Sequence, residues 1–163
     1  MSGLALKVSC GYDGHPDANQ LLVDKGAALR VNIGFDKSWT PNPKAPPKST
    51  RDGIPALIDT GASQSFIDVD LARELKLLLF DEGEVIGVHG PGPASYYTAQ
   101  VHFPALKFTV RGQFAALPIR ENYGYDLLIG RTFLRHFRME YDGVTGAVTV
   151  YKEGKLGQLY YSP

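Results

Sequence analysis

Apolar and polar residues alternate over several short stretches of this chain, and glycines and prolines separate these stretches. The clearest case is the segment from Leu29 to Phe35, in which every second residue is apolar. Such alternation is typical of a half-buried β-strand. Because 18 glycines and 11 prolines divide the 163 residues, the pattern predicts an all-β (mainly β) domain with one or two short helices.

Further strand patterns follow along the chain, separated by turn signals. Strands are predicted from Ile54 towards Asp59 and over residues 84–88, 96–103, 106–110, 114–119, 125–129, 139–141 and 147–151. Hairpin turns are predicted over 89–93 (His-Gly-Pro-Gly-Pro), at 111–112 (Arg-Gly) and over 142–146, because glycine and proline favour chain reversal.

Two short helices are expected between these strands. Asp70 is the expected N-cap of the first helix, whose apolar face runs from Leu71 to Leu78. The second helix begins at Thr132 and continues through Phe137.

The chain, residues 1–163, is predicted to form one domain with a core over about 27–151. Residues 36–52 hold Trp39 and four prolines and are interpreted as an exposed, proline-rich insertion. Residues 152–163 are interpreted as a C-terminal tail.

Composition excludes several classes of function. The balance of 17 basic and 17 acidic residues gives no electrostatic reason to expect nucleic acid or an anionic membrane as a partner. Cys10 is the only cysteine, so no intrachain disulfide can form, and it is expected to be a small buried apolar residue. No signal peptide and no run of roughly 20 apolar residues is found, so a soluble, cytoplasmic protein is expected.

The candidate chemistry lies at Asp59-Thr60-Gly61, directly after the apolar segment that ends at Ile58. A carboxylate that ends a buried strand and enters a glycine turn is a candidate for acid–base chemistry. The motif occurs once in the chain. A similar apolar strand runs into a glycine turn at Gly130-Arg131.

These segments together resemble the retropepsin-like aspartic proteases, the single-domain homodimeric relatives of pepsin. Residues 56–63 look like the catalytic loop of that family, the hairpin over 84–97 occupies the place of its flap, and residues 125–134 look like its second glycine segment with the helix that follows. The resemblance covers roughly residues 27–151 and implies a closed-barrel-like acid-protease fold.

The resemblance also implies an endopeptidase that requires no metal or organic cofactor. Asp59 from each of two protomers would form a catalytic dyad that shares one proton and activates water. Thr60 would hydrogen-bond across the dyad, and Gly61 would allow the substrate backbone to approach. Because Ala62 lacks the hydroxyl that serine has at this position in pepsin-like enzymes, activity is expected at mildly acidic pH.

Substrate contacts are expected from the loop and the flap. By resemblance, Ala62, Ser63, Val88, His89, Gly90 and Gly92 would line the substrate site. Ile86, Val88, Ile119 and Leu128 are candidates for apolar pocket walls.

Gly130 and Arg131 would support the site structurally. Retroviral members commonly have an acidic residue where this chain has Ser63, and that residue pairs with the later arginine. Arg131 is therefore expected to use another partner or backbone carbonyl groups.

Two other functions stay open at this point. One is a non-proteolytic peptide-binding or dimerisation module of the same fold. The other is a monomer that is inactive until its loop or tail allows dimerisation. Intact Asp59-Thr60-Gly61 favours the enzyme, because a binding module has no need for a like-charged pair.

Overall fold

The computed structural model describes residues 6–41, 45–153 and 158–161. Within these ranges there are eleven strands and four short α-helices. The strands are β1 (Leu6–Ser9), β2 (Ala28–Gly34), β3 (Arg51–Ile58), β4 (Phe66–Asp68), β5 (Leu78–Gly87), β6 (Gly90–Phe103), β7 (Phe108–Leu117), β8 (Leu127–Ile129), β9 (Arg138–Asp142), β10 (Ala147–Lys152) and β11 (Gln158–Tyr161). The helices are α1 (Ala18–Lys25), α2 (Val69–Glu74), α3 (Ile119–Tyr123) and α4 (Arg131–Leu134).

Six of the strands close into a barrel, so the predicted mainly β, closed-barrel fold class is confirmed. Their order is β7-β4-β8-β3-β2-β6, and β6 pairs back onto β7. Strand β5 extends the sheet beyond β6, and β11 lies beside β7. A separate three-stranded sheet has the order β1-β10-β9 and includes the predicted closing hairpin. The helices α1 and α3 exceed the one or two expected, since such short helices show little periodicity.

An aromatic cluster fills the core next to α4. The Phe133 ring stacks on the rings of Phe103 and Phe137, each with a centroid distance of 4.5 Å. Phe108 meets the Phe133 ring edge-on at 5.8 Å. Because Phe133 is buried and lies two residues after Arg131, this packing fixes the start of α4 against the barrel.

The turn predicted at Arg111-Gly112 is wrong, because β7 runs continuously through it. Arg111 pairs with Gln100 and Gly112 pairs with Ala99 in the ladder with β6. The chain reverses earlier, in a 3₁₀ turn over Pro104–Leu106 that ends at Lys107 in the left-handed conformation. Pairing with β6 therefore outweighs the local preference of the glycine.

The hairpin between β5 and β6 is confirmed, but its turn lies elsewhere than predicted. Gly87 pairs with Gly90, so Val88 and His89 form a two-residue turn. Gly90 has φ of 97° there, a conformation that favours glycine. The following Pro-Gly-Pro residues belong to β6 and not to the turn.

Asp70 is not the N-cap of its helix, contrary to expectation. The Asp68 carboxylate accepts hydrogen bonds from the backbone of Asp70 and Leu71 and caps α2. The helix ends at Glu74, and Leu78 starts β5 instead of extending the apolar face. Both aspartates are suitable caps, and the entry of β4 into the barrel selects the earlier one. The second predicted helix is present as α4, which begins at Arg131 and ends at Leu134.

Most described residues of the insertion over 36–52 are exposed, as predicted, but Trp39 and Pro47 are buried. Trp39 is 8 % exposed, and its indole N–H donates to the carbonyl of Ala45 at 2.7 Å. The Asp36 carboxylate accepts from Ser38 and from the backbone N–H of Lys48, and these bonds lower its pKa. The last two residues already belong to β3, and residues 42–44, including Pro43, lie outside the described residues.

The chain ends take part in sheets where they are described. In the predicted tail, Lys152 completes β10, and β11 runs parallel to β7 beside Thr109 to Gly112. The remainder of that tail, at 154–157 and 162–163, and residues 1–5 lie outside the described ranges. Cys10 is buried as expected, and burial raises the pKa of its thiol to about 12. No helix in the described ranges is long and apolar enough to cross a membrane.

Candidate active site

Asp59 lies where two parallel strands end side by side. Strand β3 pairs in parallel with β8, with Ile58 opposite Ile129. The backbone N–H of Asp59 continues this ladder by donating to the carbonyl of Ile129 at 2.9 Å. Asp59 is thus held at the rim of the barrel, half-buried, while its neighbour Thr60 is exposed.

The Asp59 carboxylate is oriented by its own turn. Its Oδ1 accepts from the backbone N–H of Gly61 at 2.9 Å and of Ala62 at 3.2 Å. These two donors hold one oxygen of the carboxylate against the turn. Among the described residues nothing donates to Oδ2. This oxygen is therefore free to bind water or a reacting group.

The loop from Asp59 to Ser65 is clamped against the start of α4 by backbone hydrogen bonds. The backbone N–H of Arg131 donates to the carbonyl of Ala62 at 2.9 Å, and the backbone N–H of Thr132 donates to the carbonyl of Ser63 at 3.0 Å. The buried Ser65 hydroxyl accepts from the N–H of Gly130 at 3.0 Å. The two glycine segments recognised in the sequence are thus one structural unit.

Arg131 binds backbone carbonyls, which is the alternative expected in the absence of an acidic residue at Ser63. Its Nη1 donates to the carbonyl oxygens of Thr60 and Gly61, both at 2.8 Å. A charged donor makes such bonds stronger than a neutral one would. The guanidinium therefore holds the turn that orients Asp59.

Gly130 and Gly61 are required by close approach. A Cβ atom on Gly130 would lie 2.2 Å from the carbonyl oxygen of Gln64, far inside van der Waals contact. A Cβ atom on Gly61 would lie 3.1 Å from Oδ1 of Asp59 and would crowd the carboxylate itself. Both positions thus keep the loop and the carboxylate in place.

A cavity of about 520 Å³ opens above the carboxylate, a volume typical of ligand pockets. Asp59, Gly61, Ala62, Ser63, Val88 and Arg131, all predicted site residues, line it. The predicted wall residues Ile86, Ile119 and Leu128 line it as well. The structure therefore brings together loop, hairpin and barrel residues that are up to about seventy positions apart in the chain.

Other predicted residues lie outside this lining. Thr60, His89, Gly90, Gly92 and Gly130 do not border the cavity. Sequence reasoning missed five residues that do, namely Phe66, Val85, Gly87, Leu117 and Tyr123. Tyr123 belongs to α3, whose five residues are too few for a periodic signal.

The hairpin of β5 and β6 overhangs the cavity with apolar side chains. Val88 at its tip is 100 % exposed and Ile86 is 87 % exposed. Its base is anchored by a small cluster of buried residues, Val85, Ala94 and Ala115. The hairpin is therefore fixed to the barrel at its base, and its tip presents uncovered apolar surface.

Helix α3 is tied to the barrel by ion pairs below the cavity. Arg120 donates from Nε to the carboxylate of Asp126 at 2.6 Å and from Nη1 to Glu74 at 3.2 Å. The buried Asp68 carboxylate accepts from the backbone N–H of Arg120 at 2.9 Å. Hydrogen bonding to Asp126 and Glu74 raises the pKa of Arg120. Asp126 is thus engaged in holding α3.

A second, larger cavity of about 670 Å³ borders the other side of Tyr123. The cavity at Asp59 is the better candidate for catalysis despite its smaller volume, because its carboxylate is oriented by backbone donors. No group of three His, Cys, Asp or Glu side chains suited to a metal ion occurs within the described ranges.

This chain is similar to a family model of known proteins and to a solved structure. A family model described as aspartyl protease matches residues 52–133, half of the 163-residue chain. The solution structure of the simian foamy virus (mac) protease aligns with a TM-score of 0.42 and 14 % identity, covering 66 % of this chain and 91 % of that one. Among curated proteins, none matches this sequence.

Proposed function

The chain belongs to the aspartyl protease family, and from this premise we propose that it is an aspartic endopeptidase whose active site is completed by a second copy of the chain. One observation carries the proposal. Among the described residues that line the cavity, Asp59 is the sole acidic side chain. An aspartic protease needs two carboxylates that share a proton, so the second Asp59 comes from a partner protomer.

The proposed reaction uses the pair as one unit. The ionised Asp59 takes a proton from a bound water while the protonated Asp59 donates a hydrogen bond to the scissile carbonyl. Water adds to the carbonyl carbon and forms a tetrahedral intermediate. A carboxyl group then protonates the leaving amine and the peptide bond breaks.

The neighbouring residues have supporting roles in this proposal. Gly61 leaves the carboxylate uncrowded for the substrate, and Ala62 and Ser63 form the floor on which the peptide lies. Thr60, which is exposed and lies outside the lining of this protomer's cavity, bonds across the two-fold axis to the partner loop.

The hairpin acts as a flap in the same proposal. The exposed Ile86 and Val88 close on the bound peptide, exclude water and select apolar side chains. His89, Gly90 and Gly92 act only when the flap closes, since they lie outside the cavity lining. Because the two halves of a symmetric dimer are equivalent, both ends of the cleft offer the same apolar pockets. The proposed substrates are extended peptides or unfolded protein segments.

Cleavage of denatured casein between about pH 3 and 7 tests the proposal. Wild type is compared with Asp59→Asn and with wild type plus a statine-type inhibitor. Cleavage that both treatments abolish is expected, with a maximum at mildly acidic pH. This pH expectation follows from Ala62, which has no hydroxyl to donate to the dyad.

Light scattering on the same samples separates the alternatives. A dimer that cleaves nothing would contradict the proteolytic function and favour a peptide-binding module. A strictly monomeric protein that cleaves nothing would favour the monomer that awaits activation. Cleavage that persists in Asp59→Asn would contradict the assigned residue.

A further inference from the structure

The second cavity and the candidate active site share one lining residue. Tyr123 lines both the cavity at Asp59 and the larger one, and its side chain is 60 % exposed between them. A peptide that occupied both cavities would have to pass Tyr123. Because each extended residue advances the chain by only about 3.3 Å, such a peptide would place in the second cavity residues several positions from the scissile bond.

This second cavity is built mainly from residues outside the segment that matches the protease family. Tyr12, Asp24, Lys25 and Arg30 border it and precede residue 52, where the family match begins. Helix α1 and the segment before it thus add a compartment that the family match does not include.

Two tyrosines hold the cationic end of α1 in place. The hydroxyl of Tyr125 donates to the carbonyl of Lys25 at 2.8 Å, and that of Tyr12 donates to the carbonyl of Gly26 at 3.0 Å. These bonds fix the C-terminal end of α1 against the barrel, so Lys25 has a defined position at the rim of the cavity.

Charge gives the compartment its selectivity. Lys25 and Arg30 carry two positive charges and Asp24 carries one negative charge, which leaves a net charge of +1 on the cavity lining. Arg30 uses Nη1 to bind the carbonyl of Gly53 at 2.9 Å, so its other N–H groups stay available. No ion pair involves Lys25 within the described residues.

We propose that this cavity binds an acidic segment of the substrate peptide, several residues away from the cleaved bond, through Lys25 and Arg30. The inference rests on the proposed function, since it assigns a substrate class to the same cleft. Lys25 and Arg30 are both exposed at the surface. Each of the two positive charges is therefore expected to contribute about a two- to fivefold gain in affinity at low salt.

Peptide binding to Asp59→Asn tests the inference without cleavage. The dye-labelled peptides share one apolar centre and differ only three to six residues to either side of it, where one set carries Glu and the other carries Gln. Fluorescence anisotropy gives the Kd of each peptide. The Glu peptides are expected to bind about tenfold more tightly, with the advantage shrinking at high salt. Lys25→Gln and Arg30→Gln should each reduce the advantage about two- to fivefold, and Asp24→Asn should increase it about twofold.

Lys37→Gln is the matched control, because Lys37 is an exposed cation that does not border the cavity. Equal affinity for Glu and Gln peptides would overturn the inference. So would a Glu advantage that survives in the Lys25→Gln, Arg30→Gln double variant.

Wild-type cleavage of the same peptides separates the two proposals. Cleavage without any preference for Glu overturns the acidic site and leaves the protease function standing. A Glu preference in binding that Lys25 and Arg30 create, with no cleavage by wild type, supports the acidic site and contradicts the protease function.

Discussion

At the scale of single residues, the Asp59 loop is held by backbone groups and one cation. Ser63 stands where retroviral relatives commonly have an acidic partner for the arginine, and Arg131 donates instead to the carbonyls of Thr60 and Gly61. The orientation of the carboxylate therefore depends on one guanidinium that binds two adjacent carbonyl groups.

Arg131→Gln should lower the free energy of unfolding by about 1–2 kcal/mol, because two charge-assisted bonds are lost at an exposed position. The turn that orients Asp59 should loosen as well, so kcat should fall more than KM rises. Arg135→Gln is the control, because Arg135 is an exposed arginine one turn further along, and its side chain hydrogen-bonds only to His136 among the described residues. Equal losses of stability and kcat in both variants would contradict the role of Arg131.

Gly130→Ala should destabilise the protein more than Arg131→Gln does, since the added methyl group would lie 2.2 Å from the carbonyl oxygen of Gln64. The loop and α4 must separate to admit it, so we expect a loss of about 3 kcal/mol or more in stability, together with activity. Thermal unfolding measures this change. Gly143→Ala is the control, where the added Cβ atom would make an ordinary contact at 3.5 Å. A Gly130→Ala protein as stable as this control would contradict the close packing.

The residues of the site were predictable to different degrees. Asp59, Gly130 and Arg131 follow from local motifs, and their positions in the structure agree with those motifs. The N-cap of α2 did not follow from a local motif, because Asp68 and Asp70 are equally suitable caps. Only the position of β4 in the barrel distinguishes them. Tyr123 gave no signal, since its role at the cavity depends on ion pairs that connect α3 to distant residues.

At the scale of elements, the hairpin and α3 shape the cavity from two sides. The hairpin contributes exposed apolar side chains, and α3 contributes Ile119 and Tyr123. The hairpin consists of two long strands, ten residues in β5 and fourteen in β6. Its base is packed against the barrel, whereas Ile86 and Val88 near its tip are exposed.

Val88→Ser should raise KM about fivefold, because the proposed flap role requires the fully exposed valine to be covered by bound substrate. Stability should change by less than about 0.5 kcal/mol. Val144→Ser is the matched control, since Val144 is 86 % exposed in the turn of the other hairpin. Equal KM values for the two variants would contradict a flap role for the hairpin.

Element prediction failed where pairing partners decide the structure. Gly112 favours a turn by itself, yet its pairing with Ala99 makes β7 continuous. Helix α1 was missed because eight residues with a weak apolar face give no clear pattern, although Ala18 and Leu22 are buried. The insertion after β2 looked wholly exposed because its composition is polar, whereas Trp39 is buried and its indole binds the carbonyl of Ala45 within the insertion.

At the scale of the whole molecule, acid conditions set a limit on the stability of the fold. Hydrogen bonds from Arg51, then Arg120, lower the pKa of Glu74. Because the folded protein lowers the pKa of this carboxylate, the ionised group stabilises the fold at pH values above its pKa in the unfolded chain. This stabilisation is lost as the pH falls through the lower pKa of the folded protein. The protein should therefore lose thermal stability below about pH 4, under the mildly acidic range expected for activity.

Melting temperature as a function of pH checks this account. Glu74→Gln should lower Tm at neutral pH and show a smaller further drop under acid conditions, because its amide does not titrate. Glu153→Gln is a suitable control, since its contact with Arg138 is long, at 3.9 Å, and exposed. A variant at Glu74 with the same acid profile as wild type would contradict the role of this ion pair.

The central claim is that two chains each supply one Asp59 to a single active site. Wild type and Asp59→Asn are refolded together at several ratios and constant total concentration, and peptide cleavage is measured. If both carboxylates are needed, only wild-type homodimers act, so an equal mixture retains about a quarter of the wild-type activity. Retention of about half, in linear proportion to the wild-type fraction, would mean that each chain works alone. That result would contradict the shared dyad.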